Sequence, residues 1–185
     1  MTAAPDARSA LRAATTPDHE RVDAAFGAFD LTTREGYAAF LLGQAHAFLP
    51  IEAAIVAADP RDLLPDWPAR RRGERLREDL SALGFPAPPT GDWAPFRHRA
   101  DILGAIYVLE GSRLGGRMLA RSVPADLPRS FIDTSDSVRW RYLIEVLDKL
   151  LVTDDQHTLA IDAARRAFAL FEAGALRQKR TKAFG

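Results

Sequence analysis

Val138, Tyr142, Val146 and Leu150 recur every fourth residue and mark one face of a helix. Strand signals are scarce. Val and Ile are scattered, and no Asn-Gly or Asp-Gly pair joins alternating apolar and polar segments. Ala, Leu, Arg and Glu dominate instead, a composition that favours helix. The pattern predicts a first helix over residues 6–29, disturbed at Pro17, which has no N–H to donate to the preceding turn. Thr32-Thr33-Arg34-Glu35 reads as a capping box, in which a threonine hydroxyl and a glutamate three residues on satisfy each other's free amides. It opens a long helix to about residue 58, kinked at Pro50. A third helix covers 69–83 and stops at Gly84. Residues 85–95 contain four prolines and a Gly-Asp turn and read as loop. A long helix then spans 95–122, and Pro124 and Pro128 punctuate the loop before the helix that carries the four-residue repeat. Thr153-Asp154-Asp155-Gln156 is a second capping box, from which the last helix runs to about residue 176. The basic tail, residues 177–185, reads as a solvated, frayed end. No internal repeat or low-complexity block interrupts this order, so the expectation is one all-α domain over residues 1–185.

Composition narrows the chemistry. The 185 residues carry 25 Lys and Arg against 25 Asp and Glu, which argues against nucleic acid as a partner, since that needs a basic footprint. With no cysteine there are no disulfides, thiolate ligands or cysteine nucleophiles. The opening residues lack the apolar core of a signal peptide, and the expected address is the cytoplasm. The most apolar stretch, 37–58, carries Gln44, His46, Pro50 and Glu52, so it reads as a core helix and not a membrane span.

The informative segment holds Gly104, Gly111, Gly115 and Gly116 in one predicted helix. Each interior glycine costs about 0.5–1 kcal/mol relative to alanine, so four cost roughly 2–4 kcal/mol of a domain stability of about 5–15 kcal/mol. Close approach of another helix would recover that cost, and so would close approach of a flat ligand to bare backbone. A phosphate cradle is the weakest reading, because the segment lacks the terminal Lys-Ser/Thr of a P-loop and follows no strand. On the segment alone, packing and ligand approach both stand.

Of the four histidines, His19 has Asp23 four residues on, where a carboxylate can take one ring proton and free the other nitrogen for a metal; an incidental surface pair fits the same spacing. His46 lies between alanines and reads as a satisfied core residue. His98, in Arg97-His98-Arg99, reads as part of a solvated turn, and His157 as facing water. No His-x3-His pair or Gly-x-Ser-x-Gly elbow supports zinc or serine-hydrolase chemistry.

Taken together, these segments resemble the haem oxygenase family. Leu11-Arg12-Ala13-Ala14-Thr15-Thr16-Pro17-Asp18-His19 is similar to its first-helix motif, and Thr33-Arg34-Glu35-Gly36-Tyr37 to the start of its second helix. Ala45-His46-Ala47-Phe48 through Ile51-Glu52 keeps the family's spacing further along, as do Thr153 and Ala167-Phe168 in the final helix. Tyr107-Val108-Leu109-Glu110-Gly111-Ser112-Arg113-Leu114-Gly115-Gly116 resembles the distal helix that arches over haem, in the form found in bacterial members that accompany phytochromes.

The resemblance implies a multi-helix bundle with haem between the first helix and the kinked glycine-rich one. It implies haem as cofactor and substrate, cleaved to biliverdin, carbon monoxide and iron with O2 and electrons from an external ferredoxin- or reductase-like donor. A bacteriophytochrome is the implied acceptor of the pigment. His19 would ligate the iron, its other nitrogen held by Asp23, while Gly111, Gly115 and Gly116 lie over the opposite haem face. Arg12 would meet one propionate and Arg141 the other. Well-studied members carry an aspartate after the first distal glycine, where it organises proton-delivering waters. Here that residue is Ser112, whose hydroxyl holds a water without a negative charge. The serine keeps a second reading in view, a haem carrier or sensor of the same fold.

Overall fold

The computed structural model describes residues 6–133 and 137–183. The opening five residues, read above for targeting, and the last two of the tail lie outside them. Seven α-helices follow one another: α1 (Ala7–Phe26), α2 (Arg34–Ala57), the one-turn α3 (Trp67–Arg70), α4 (Gly73–Ala82), α5 (Arg99–Leu119), α6 (Ser137–Leu150) and α7 (Asp154–Ala183). A 3-10 turn, Pro60–Asp62, precedes α3, and no strand occurs among the described residues.

Local chemistry explains most of the boundaries. Asp6 caps α1 by accepting from the Ser9 amide at 2.7 Å, and these bonds to Ser9 hold its carboxyl below the usual range. Pro17 does not interrupt α1. It lies on the exposed face, as does Ala13, whose carbonyl it leaves without a helical donor, so water can serve that carbonyl. The cap of α2 is Thr33, one residue later than the sequence implied. Its hydroxyl accepts from the Gly36 amide at 3.1 Å, while Thr32 is held by the Asp30 carboxylate. α2 runs through Pro50 without interruption.

The expected helix over 69–83 is two helices. Arg71 is extended, and the Arg72 and Gly73 amides that begin α4 point to the buried Glu52 carboxylate at 2.7 and 3.0 Å. Gly84, at φ 77°, ends α4 as expected. α5 starts at Arg99, four residues late, because the Asp101 carboxylate accepts from the Arg97 and His98 amides and so makes His98 its cap. The Thr153 box forms as read: its hydroxyl accepts from the Gln156 amide, and Gln156 accepts from the Thr153 amide. His157 is half-buried and only partly faces water, with its Nε2 2.8 Å from the Leu151 carbonyl. His46 is half-buried between α2 and α7, and burial pushes its imidazole down.

The four-residue repeat lies on a helix as read, and one expectation about α7 is corrected. The buried face of α6 is Leu143, Val146 and Leu147, whereas Val138 and Tyr142 are exposed, so the four-residue repeat drifts off the core face. α7 continues through Ala183 and not to a frayed end near residue 176. Arg177, Gln178, Lys179 and Arg180 are good helix formers, and cations favour a helix C-terminus.

Helix α7 is the spine. Ala160, Ala163, Ala164, Ala167 and Ala175 are fully buried, and these small residues let α1, α2 and α5 all lie close along it. Among the described residues α2 alone is long and apolar enough to cross a bilayer, yet most of it is buried against α4, α5 and α7. The closest approach on the spine is at Gly104 of α5, where a methyl group would collide with the Ala160 carbonyl. Gly104→Ala should therefore destabilise the fold by roughly 1–3 kcal/mol despite its better helix propensity, read as a lower urea midpoint.

Candidate active site

The four glycines of α5 divide into two pairs. Gly104 packs on α7, and Gly116 packs on the loop before α6, where an added Cβ would stand 2.7 Å from the Ile132 carbonyl oxygen. Gly116 is thus a packing residue, which corrects its assignment to a ligand face. Gly111 would meet only the edge of Trp140 at 4.0 Å, and Gly115 faces open space. Tyr107, Gly111, Leu114, Gly115 and Met118 share one side of the helix by their spacing. Leu114 is 43% exposed and Met118 74% exposed, so this side is an apolar stripe that Trp140 of α6 covers only at its Tyr107 and Gly111 end among the described residues.

What lies opposite is α1. Both α1 and α5 pack along α7 but scarcely touch each other, and α6 closes one end of the groove between them. The Ala7 amide donates to Asp148 of α6 at 3.0 Å, and Tyr107 of α5 rests on Trp140 of α6 with ring centres 5.8 Å apart. Burial raises the Tyr107 phenol, and the Arg8 and Arg12 charges on α1 oppose that rise.

His19 stands on the same side of α1 as Arg12, two turns after it. Its side chain is 61% exposed, with Nδ1 2.9 Å from Asp23 Oδ2 and the ring edge-on to Phe168 of α7 at 5.8 Å. A proton on Nδ1 shared with Asp23 leaves the Nε2 lone pair free. Arg12 and Arg141 are exposed, and neither forms a hydrogen bond or ion pair with another described residue. Arg141 lies two turns before Asp148, on the side of α6 that turns toward α1. Among the described residues no three His, Cys, Asp or Glu come together to hold a metal ion.

Ser112 differs from its sequence reading. Its hydroxyl donates to the Leu109 carbonyl at 2.7 Å and accepts from Arg72 Nη2 at 2.9 Å, so it is engaged behind α5 and is not free on the groove side. Sequence reasoning missed what it joins. Behind α5 lies a buried charge network. Glu110 takes Arg70 at 2.8 Å and Arg113 at 3.0 Å, and Arg113 also donates to the Arg70 carbonyl at 2.7 Å. Arg70 reaches Asp66 and the Arg139 carbonyl besides, tying α3 to the start of α6. Arg72, 2% exposed, donates to the Leu109 carbonyl at 2.7 Å, and burial, aided by Arg113, pushes it down to about 9. The signal available was a lone glutamate, Glu110, inside an apolar run, with three consecutive arginines, Arg70 to Arg72, to answer it. The Asp79 carboxylate, buried on α4, accepts from the Ser130 and Phe131 amides and holds the loop that abuts Gly116.

No family model matches the chain. A heme oxygenase of Xanthomonas campestris pv. campestris is 35% identical over 116 residues, covering 57% of this chain and 67% of that protein. The heme oxygenase PigA of Pseudomonas aeruginosa is 27% identical over 176 residues, 87% of each chain. Among solved structures, the NO- and CO-bound heme oxygenase from Neisseria meningitidis matches with a TM-score of 0.81 over 95% of this chain and 92% of that one. At 23% identity that likeness is one of fold.

The two glycine pairs should separate on mutation. Gly116→Ala is expected to cost about 1–3 kcal/mol, whereas Gly115→Ala is expected to stabilise the helix by about 0.5–1 kcal/mol, both read by chemical denaturation. Glu110→Ala leaves the Arg113 guanidinium without its carboxylate in the interior and Arg70 with Asp66 alone, and should cost about 3–5 kcal/mol by the same measurement.

Proposed function

The chain belongs to the haem oxygenase family, and we propose that it cleaves haem to biliverdin, carbon monoxide and ferrous iron, using O2 and electrons from an external ferredoxin- or reductase-like donor. The observation that carries this reading is the groove between α1 and α5, with one imidazole on one wall and bare backbone at Gly111 and Gly115 on the other.

The residues fit haem. A single histidine holds a metal ion well only if the ion brings its own ring of ligands, which a porphyrin does, and the apolar stripe on α5 offers the flat surface such a ring needs. Bound haem supplies both the iron that activates O2 and the ring carbon that is oxidised. The chain supplies orientation. His19 would ligate the iron through Nε2, with Asp23 fixing the orientation and tautomer of the ring. Gly111 and Gly115 let the α5 backbone approach the opposite face closely, and a side chain at either would occupy that space. Arg12 would bind one propionate and Arg141 the other, at the two borders of the groove that α1 and α6 provide. The Arg8 charge and the Tyr107 hydroxyl stand at the same end and add to that carboxylate-binding character.

Because Ser112 is committed to Arg72 and Leu109, protons on the groove side would be ordered by backbone amides and carbonyls near Gly111, with Ser112 helping only through its remaining lone pair. The names of the relatives favour the enzyme over a carrier of the same fold. We place the reaction in the cytoplasm. The phytochrome-type form of residues 107–116 supports a bacteriophytochrome as the acceptor of biliverdin.

His19→Ala should abolish biliverdin formation, followed as loss of the Soret band with growth of a red band on adding haem, reductant and air. Its exposed side chain predicts a stability change within about 0.5 kcal/mol. Normal biliverdin yield from a folded His19→Ala protein overturns the assignment.

A further inference from the structure

Arg72 is gripped at several points, its buried Nε alone lacking a hydrogen-bond partner. The Glu52 carboxylate fixes its backbone amide at 2.7 Å, and its guanidinium carbon lies 4.9 Å from the ring centres of both Phe48 and Phe131. From that seat one nitrogen, Nη2, reaches α5 at two points, the Leu109 carbonyl at 2.7 Å and the Ser112 hydroxyl at 2.9 Å. Nη1 points to the Phe131 carbonyl at 3.4 Å. Leu109 and Ser112 bracket Glu110 and Gly111, so the two tethers grip the turn that presents the first bare position to the groove. They pull from the rear. The rings of Phe48 and Phe131 hold the guanidinium in its seat behind that turn, and on the groove side the edge of Trp140, 4.0 Å away, is the nearest group to where a Gly111 side chain would begin.

We propose that Arg72 is a positioning residue that sets the height of the haem slot, holding the Leu109–Ser112 turn of α5 back from α1. The inference rests on the haem-binding reading and goes beyond it by assigning the clearance above the porphyrin to a side chain that never meets it. Without the tether, α5 settles into the groove, and the space above the iron shrinks. Small iron ligands tolerate that, and large ones do not.

The test is Arg72→Met, which keeps bulk behind α5 and removes both donors. In the ferric haem complex, imidazole affinity should fall about tenfold relative to cyanide, the size expected for a lost charge-assisted bond. Haem-free Arg72→Met should also exchange the amides of residues 109–116 about tenfold faster than wild type, with α1 unchanged. If Arg72→Met does not fold, Arg72→Lys carries the test, since it keeps a buried cation but loses the two-pronged reach, and it should shift the ratio in the same direction. An imidazole-to-cyanide ratio within about twofold of wild type in whichever variant folds overturns the proposal. Should wild-type protein bind no haem, the functional reading fails, and the exchange measurement alone decides whether Arg72 holds α5.

Discussion

The structure turns on charge buried behind one helix. Arg70, Arg72 and Arg113 sit in the interior because Glu110, Glu52 and a set of backbone carbonyls answer them. Uncompensated, any of these guanidiniums would cost several kcal/mol, so the elements that supply the partners have almost no freedom to move apart. Those elements are the ends of α3 and α4, the middle of α2, the loop before α6 and α5 itself. The groove side of α5 can then be left bare, since the helix takes its position from the rear.

That division explains why the glycines looked ambiguous from sequence. A glycine pressed on a carbonyl and a glycine facing empty space are the same letter, and the segment holds both kinds. Gly104 and Gly116 serve packing, while Gly111 and Gly115 serve the groove. Periodicity does separate them afterwards: Gly111 and Gly115 are four apart, in line with Tyr107 and Met118, whereas Gly116 is turned a further 100° around the helix.

Helix content, helix order and the His19–Asp23 pair were legible because they depend on neighbours within one turn. The errors fell where distant residues decide. α4 begins at Gly73 because Glu52, some twenty positions earlier, caps it, and Ser112 turns inward because Arg72 reaches it. The α6 repeat located the helix, but which of its residues are buried only the assembled bundle determines, and Val138 and Tyr142 are exposed. Arg12 and His19 could be placed on one side of α1 by counting. That this side opposes the bare stripe of α5 is a property of how both helices lie on α7.

The thirty-residue α7 has a further consequence. Ala160 receives α5, Phe168 receives His19, Glu172 pairs with Arg21, and Gly174 meets α2 at Gly43, so the attachments follow one another along a single rod. Ala160 and Phe168 are eight residues apart, about 12 Å at the rise of an α-helix. The rod therefore works as a ruler: the gauge of the gap between α5 and α1 is written in residue count along one helix, and deleting a single residue between those marks would mis-rotate α5 by 100° against everything attached beyond it.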